Sequence, residues 1–241
     1  MSVRAVVRQM KPMANARYRL RFSKREALRF ISHHDLMRAF ELTLRRSKLP
    51  IAFTQGFNPR PKVSFALALP LGVESLDEIV DVDLEFEHEP VDAVEVMNRI
   101  GEHLPPGMKF TQCELAEKRP VVVAADYRVD LNQSDIDLQQ LKLRLDDFLK
   151  ASEFEFSRPR GPKKPVRVFD ARQFVGHASL KDGILSMRLT LSQAGGMKPS
   201  DLLQILKLDP LSLLVTKTET ILVDEQPEET EHGSKNFDEC R

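Results

Sequence analysis

Cysteine is scarce in this chain, and its scarcity limits the chemistry that the protein can carry out. Cys113 and Cys240 are the only two cysteines among 241 residues. Two cysteines exclude a disulfide framework and are typical of a protein of the reducing cytoplasm. They are also too few for a cysteine-rich metal or iron–sulfur centre. The sequence therefore predicts no metal, no cofactor and a cytoplasmic location.

Long apolar runs are also missing. No segment approaches the ~20 apolar residues that a membrane-spanning helix requires, so we predict no membrane partner. Residues 1–16 carry Arg4, Arg8 and Lys11 with no acidic residue and lack the apolar centre of a secretory signal. This start is predicted to be a flexible leader, with a transit peptide as the alternative. The chain is 41% hydrophobic and long enough for two domains of roughly 100 residues each.

The net charge is zero, but the charges are unevenly distributed. The 36 basic residues balance 36 acidic ones over the whole chain. Residues 17–62 contain 12 basic and 3 acidic residues, whereas residues 74–95 contain 10 acidic residues and no Lys or Arg. A second basic block covers residues 158–188. This segregation predicts a molecule with one basic and one acidic surface.

The apolar periodicity predicts an α+β fold in two similar halves. In the first half we expect strands at 18–23, 51–54, 63–69, 79–86 and 109–115, with helices from Ser32 and at 91–100. In the second half we expect strands at 125–131, 154–156, 166–175, 184–191 and 211–223, with helices at 134–150 and 199–207. The prediction is two tandem ferredoxin-like (βαββαβ) units with antiparallel sheets, at 17–118 and 119–223. Residues 224–241, acidic and poor in apolar residues, are predicted to be a disordered tail.

The first candidate site element is a short loop at residues 55–62. Two prolines within three residues fix φ, and Gly56 permits positive φ, so this loop is predicted to be stiff. It presents an aromatic ring, an amide and two cations, which together can stack on, hydrogen-bond to and neutralise a polyanion. For Phe57 the alternative role is a core plug that holds the loop down. The candidate ligand-binding residues of the loop are Gln55, Gly56, Phe57, Asn58, Arg60 and Lys62.

The second candidate element is the helix that begins at Ser32. Ser32 and Asp35 have the spacing of a variant capping box, and free amides at a helix start can hold a phosphate. Three arginines fall largely on the polar side of the helix, where they either contact phosphates or solvate its surface. The candidate ligand-binding residues here are Ser32, His33, Arg38, Arg45 and Arg46.

Three motifs in the first half give a resemblance to a known family. The segments FISHHDLMR at 30–38, QGFNPRPKVSF at 55–65 and PLGVES at 70–75 resemble the bacterial radical SAM-linked family of unknown function. The resemblance implies a radical SAM enzyme as partner. The chain itself does not contain the three-cysteine CxxxCxxC motif by which such enzymes hold their cluster. A more distant similarity, at the level of fold alone, is to CRISPR repeat-processing RNA endonucleases.

These observations leave two main functional hypotheses, and we favour the first. One is a non-catalytic accessory protein that binds RNA or another phosphate-bearing substrate for a radical SAM enzyme. The alternative is a metal-independent ribonuclease, in which His33 or His34 acts as the base and Lys62 or Arg60 as the cation. A third possibility is that the basic surface docks an acidic protein. The sequence predicts no oligomeric state.

Overall fold

The structure is a computed structural model that describes residues 14–159, 161, 165–192 and 195–223. Within these residues the protein is a mixed α+β fold with four α-helices and a mostly antiparallel sheet. None of the described helices combines the length and apolarity that a membrane crossing needs. The predicted acidic tail and most of the predicted leader lie outside the described residues. Residues 14–16, assigned to the leader from sequence, instead begin the first strand.

The first half pairs four strands in the order β2, β3, β1, β4, with every pairing antiparallel. The predicted strand at 63–69 ends at Phe65, and the predicted strand at 51–54 forms only isolated bridges at Ile51 and Phe53. The elements of this half are β1 (Ala14–Lys24), α1 (His33–Ser47), β2 (Val63–Phe65), β3 (Glu74–Phe86), α2 (Ala93–Gly101) and β4 (Met108–Leu115).

The second half repeats this strand order with its own elements. β5 lies between β9 and β11, and β8 pairs with the far edge of β9, again antiparallel. The elements are β5 (Val122–Asp130), α3 (Leu138–Lys150), β6 (Glu155–Arg158), β7 (Arg167–Asp170), β8 (Val175–Lys181), β9 (Ile184–Ser192), β10 (Gly195–Gly196), α4 (Pro199–Ile205) and β11 (Val215–Leu222).

The prediction of one continuous strand at 166–175 is wrong, because the structure divides this segment into two strands. The chain forms β7, a 3-10 turn at Arg172–Phe174 and then β8. The carboxylate of Asp170 accepts hydrogen bonds from the backbone N–H groups of Phe154 and Arg172, at 2.8 and 3.0 Å. A side chain that satisfies local backbone donors competes with a strand ladder, so the strand ends there. β6 and β7 form a separate two-stranded sheet.

The two halves join into one nine-stranded sheet through a parallel contact between β11 and β3. Thr216 lies opposite Glu74, and Lys217 lies opposite Ser75. Beyond this point Thr220 stays attached to β3, because its hydroxyl donates to the carbonyl of Asp77 at 2.6 Å. β2 and β11 therefore share one edge of β3, each at a different end.

Two apolar cores lie on the helix-covered face of the sheet. In the first half, inward residues of β1 and β3 pack against Leu36, Phe40 and Leu44 of α1. In the second half, β5 and β9 pack against α3 and α4. Leu69 and Val73, which precede β3, are buried in the second core although they belong to the first half. The segment before β3 thus fastens the halves together.

On the opposite face, the basic and acidic stretches of the sequence neutralise each other. β1 and β3 are neighbours, and their register places Arg17 opposite Asp83 and Arg19 opposite Asp81. Both arginines donate two hydrogen bonds to their partner carboxylate, with N–O distances of 2.7–3.1 Å at Asp83 and 3.0–3.3 Å at Asp81. The predicted separation into basic and acidic surfaces is wrong for these strands, because antiparallel pairing brings opposite charges together.

Candidate nucleic-acid interface

The start of α1 confirms the predicted cap. The Ser32 hydroxyl oxygen accepts from the backbone N–H of Asp35 at 3.1 Å, and the hydroxyl donates to the Asp35 carboxylate at 2.7 Å. This arrangement satisfies one of the free amides at the helix start and occupies the Ser32 side chain. Ser32 is exposed but already engaged in stabilising α1.

The outward side of α1 carries unpaired positive charge. Leu36, Phe40 and Leu44 are fixed in the core, which turns Arg38, Arg45 and Arg46 to solvent, where all three are exposed. No described acidic residue forms a salt bridge with any of them. Their charge is therefore available to an external anion.

The unpaired cations contrast with the basic residues that precede α1. Arg17, Arg19 and Arg21 pair with aspartates of β3, and the Lys24 side chain is buried. Arg25 and Arg29 lie within 3.7 and 4.0 Å of Glu74. Of the basic residues at 17–62, those with no acidic partner among the described residues are Arg38, Arg45, Arg46, Lys48 and Arg60. Within residues 17–62, the free charge among the described residues thus lies on α1, at its C-cap and in the loop that follows.

That loop is the tip of a hairpin that projects from the outer edge of β3. Ala52 donates to the carbonyl of Asp83 at 2.9 Å, and the Asp83 N–H donates to the carbonyl of Lys62 at 3.1 Å. Above this base, the Thr54 N–H donates to the carbonyl of Arg60 at 2.8 Å, and the Arg60 N–H donates to the Thr54 hydroxyl at 3.0 Å. These bonds close residues 53–61 into a hairpin, which we call the edge hairpin.

The tip of the edge hairpin faces solvent. Gly56 adopts φ = 133°, a backbone conformation that residues other than glycine rarely adopt. The Phe57 ring is fully exposed, so the alternative of a core plug is wrong. Gln55, Asn58 and Arg60 are exposed beside it. An exposed ring, an amide and a guanidinium on one tip are suited to stacking and phosphate contact.

The structure does not bring Lys62 together with the cations of α1. The Lys62 ammonium lies 3.9 Å from the Glu85 carboxylate. Glu85 shares its face of β3 with Asp83, and α1 packs on the opposite face against Val82 and Leu84. Lys62 therefore lies on the other side of the sheet.

The two histidines occupy different surroundings at the start of α1. The His33 ring packs edge-on against Phe65 of β2, with ring centroids 5.5 Å apart, and is partly buried. His34 is exposed on the side that carries Arg38. Neither ring has a described acidic partner.

Sequence reasoning missed two contributors to this surface. Lys48 is the exposed C-cap of α1, and Leu42 is 54% exposed between Arg38 and Arg45. A signal existed for Lys48, because cations are common at helix ends. No group of three or more His, Cys, Asp or Glu among the described residues is arranged to hold a metal ion.

Fold and surface together define an α+β protein in which α1 and the edge hairpin carry exposed arginines with no described acidic partner. Residues 17–199 match the family described as "Uncharacterized protein conserved in bacteria (DUF2344)", and the chain belongs to this family. No curated protein matches the chain.

Two solved structures show distant similarity. A chain in the crystal structure of a Cbf5-Nop10-Gar1 complex is 10% identical, with a TM-score of 0.42; the match covers 90% of this chain and 51% of that one. This chain thus spans about half the length of that structure's chain. An unknown protein from Galdieria sulphuraria is 10% identical with a TM-score of 0.28, and the match covers 86% of this chain and 99% of that one.

Proposed function

We propose that this protein is a non-catalytic binding protein that holds RNA, or another phosphate-bearing ligand, on α1 and the edge hairpin. The observation that carries the proposal is the distribution of unpaired charge. Basic residues on β1 are neutralised by β3, whereas Arg38, Arg45 and Arg46 of α1 and Arg60 of the hairpin have no described acidic partner.

The chemistry of these groups suits a polyanion. A guanidinium can donate two parallel hydrogen bonds to a phosphate, and each neutralised phosphate releases counterions. Phe57 adds a stacking surface that every base can use. Backbone bonds close the base of the hairpin, and Pro59 and Pro61 each fix a φ angle, which reduces the conformational freedom to be lost on binding.

The ribonuclease alternative finds less support in the geometry. Its proposed cation Lys62 lies on the face of the sheet away from α1, whereas His33 and His34 lie in the first turn of α1. A base and a cation must reach one phosphodiester at the same time. Arg60, which is exposed on the edge hairpin, has no described acidic partner and could still supply the cation of that mechanism.

The fold supports a finer architectural inference. We infer two ferredoxin-like units, since β1–α1–β2–β3–α2–β4 and β5–α3–β8–β9–α4–β11 have the same strand order within the sheet. The resemblance to the radical SAM-linked family further leads us to propose an accessory role beside a radical SAM enzyme in the cytoplasm. This part of the proposal rests on the resemblance alone.

RNA binding is tested by fluorescence anisotropy with a labelled single-stranded RNA of mixed sequence, titrated at several salt concentrations. The test variant is Arg38→Glu/Arg45→Glu, and the matched control is Lys142→Glu/Lys150→Glu, which makes the same charge change on exposed sites of α3. A plot of the logarithm of the RNA association constant against the logarithm of the salt concentration has a negative slope. We expect this slope to be shallower by about 1.4 in the test variant, at about 0.7 for each lost phosphate contact. The control should bind like the wild type.

Two outcomes would overturn the binding proposal. One is no RNA affinity at low ionic strength; the other is equal weakening by the test and control variants. RNA cleavage without added metal, abolished by His33→Ala or His34→Ala, would replace binding with the ribonuclease alternative. The accessory role is tested separately by crosslinking and affinity purification from the host. If no radical SAM polypeptide copurifies, that role is refuted and RNA binding is unaffected.

A further inference from the structure

A second candidate site lies where the two halves meet, at the end of the sheet where β3 and β11 begin. It is a cavity of about 590 Å³, which falls in the range of small-molecule sites. Its walls come from three separated parts of the chain: the turn before α1, the loop before β3, and the segments that flank α4. The ligand surface on α1 and the edge hairpin contributes no residue to it.

The walls of the cavity are mainly aliphatic and unusually exposed. Phe30, Leu71, Leu211 and Leu214 all line it, and their exposed fractions are 61%, 67%, 95% and 45%. Prolines and valines contribute much of the remaining wall. A folded protein gains little from leaving such a cluster in water, and clusters of this kind mark binding sites.

The charged groups at the cavity are cationic, and Ser200 and Ser212 add two neutral hydroxyl groups to its wall. Arg29 and Lys198 are its only charged lining residues among those described, and no acidic side chain lines it. The Arg29 guanidinium stacks on the Phe30 ring at 4.5 Å, and its Nε is buried without a hydrogen-bond partner. Its nearest carboxylate oxygen, on Glu74, is 4.0 Å away and already accepts from the Glu26 N–H at 2.8 Å. The buried Nε does not reach the cavity, but the Arg29 side chain is 30% exposed, lines the wall and has no close ion pair with Glu74.

We propose that this cavity binds an amphiphilic anion, with an aliphatic body against Leu71 and Leu214 and a carboxylate or phosphate head beside Arg29 and Lys198. The aliphatic wall excludes water from the body of the ligand, which strengthens the charge contacts at its head. A nucleotide fits less well, because the lining holds no Asn, Gln, Asp or Glu to read the polar edge of a base.

Isothermal titration calorimetry with four probes tests this proposal: decanoate, decyl phosphate, 1-decanol and inorganic phosphate. Decanoate or decyl phosphate should bind saturably at one site, and comparing the two identifies the preferred head group. Decanol should bind at least about tenfold more weakly, the effect of losing one good charge contact. Inorganic phosphate should give no saturable heat, since it lacks the apolar body.

Matched variants locate the site. Lys198→Glu and Leu71→Asp should each weaken binding of the preferred anion by about tenfold or more. The controls are Lys181→Glu, at an exposed position on β8, and Leu143→Asp, which is 64% exposed on α3 and so resembles Leu71. Both controls should bind like the wild type, and melting curves confirm that all four variants fold.

The proposal fails if neither anion binds saturably, if decanol binds as tightly as the preferred anion, or if the control variants weaken binding as much as the test variants. Arg38→Glu/Arg45→Glu should leave binding of the preferred anion unchanged. A loss in that variant would place the anion on α1 and refute the cavity.

Discussion

The ammonium group of Lys217 lies 2.6 Å from the Glu78 carboxylate, and both side chains are almost completely buried where β11 meets β3. Lys24 is buried at the same junction, and burial lowers its pKa while Glu78 acts to raise it. Burial also raises the pKa of Tyr127, with a smaller contribution from Glu78. The Glu78 carboxylate therefore forms an ion pair with Lys217 of the second half and has a weaker electrostatic effect on Lys24 of the first half.

Removing this carboxylate should destabilise the protein strongly. Glu78→Gln leaves Lys217 without its counterion, and breaking a buried pair in this way costs about 3–5 kcal/mol. The paired change Glu78→Leu/Lys217→Met should cost less, because it removes both charges together. Urea unfolding monitored by circular dichroism measures both variants. Equal losses in the single and double variants would show that packing, not charge pairing, determines stability at the junction.

The loop before β3 provides a second stability test with an internal control. Leu69 is 9% exposed and lies in the core of the second half, whereas Leu71, two residues later, is 67% exposed. Leu69→Ala should destabilise by about 2–4 kcal/mol, in the range for buried leucines. Leu71→Ala should change the melting temperature little. Similar effects of the two changes would contradict the role of Leu69 in fastening the halves.

Cys113 should make stability fall at alkaline pH. Burial raises the pKa of Cys113 to about 12, with smaller raising effects from Glu114 and Asp92. In the unfolded chain a cysteine thiol has a pKa of about 8.5. Above that pH the unfolded state releases a proton that the folded state keeps. This contribution to stability is complete below about pH 8.5 and is lost as the pH rises toward about 12.

Two measurements check the behaviour of Cys113. In a Cys240→Ser background, Cys113→Ala should flatten the decline in unfolding free energy above about pH 8.5. In the same background, reaction of Cys113 with a disulfide reagent at neutral pH should be slow, because the thiolate is the reactive form. Rapid labelling in the folded state would contradict the raised pKa.

Local signals in the sequence were sufficient for most of the secondary structure. The cap at Ser32, the apolar stripe of α1 and the alternation in β1 each depend on neighbouring residues, and all three are confirmed. The order of helices and strands in both halves follows from the same kind of pattern. The β7–β8 interruption was missed although Asp170 accepts from the Arg172 N–H two residues on; its second bond, to the Phe154 N–H sixteen residues away, has no local signal.

Properties that depend on strand pairing could not be obtained from the sequence. The basic and acidic stretches looked like separate surfaces until the register placed Arg19 beside Asp81. The buried Lys217–Glu78 pair joins strands from different halves, and no local pattern indicates it. Within the candidate site, the loop and helix were found from composition. The position of Lys62 was not, because it depends on which face of β3 Glu85 occupies.

The edge hairpin allows binding to be separated from stability. The Phe57 ring is fully exposed and makes no described ring contact, so Phe57→Ala should leave the melting temperature unchanged. If the ring stacks on a base, the same variant should weaken RNA binding by about 1–3 kcal/mol, the usual effect of removing one stacking residue. Leu143→Ala, another exposed apolar residue, is the control and should alter neither property. Wild-type RNA affinity in Phe57→Ala would remove the ring from the binding surface.

The shape of the hairpin is a separate requirement. At Gly56, φ is 133° and no atom lies within 4 Å of where a Cβ would stand, so any penalty of a substitution comes from the backbone rather than from a clash. Gly56→Val should therefore distort the tip and weaken RNA binding, with a stability cost of about 1–3 kcal/mol.

Pro59→Ala tests the stiffness of the hairpin without removing a buried contact, because Pro59 is exposed, whereas Pro61 is buried. It should reduce affinity with little change in melting temperature, since the free hairpin gains conformations that binding must remove. Binding and melting are measured on the same preparations, and wild-type affinity in both variants would show that charge on α1, not a preformed hairpin, holds the ligand.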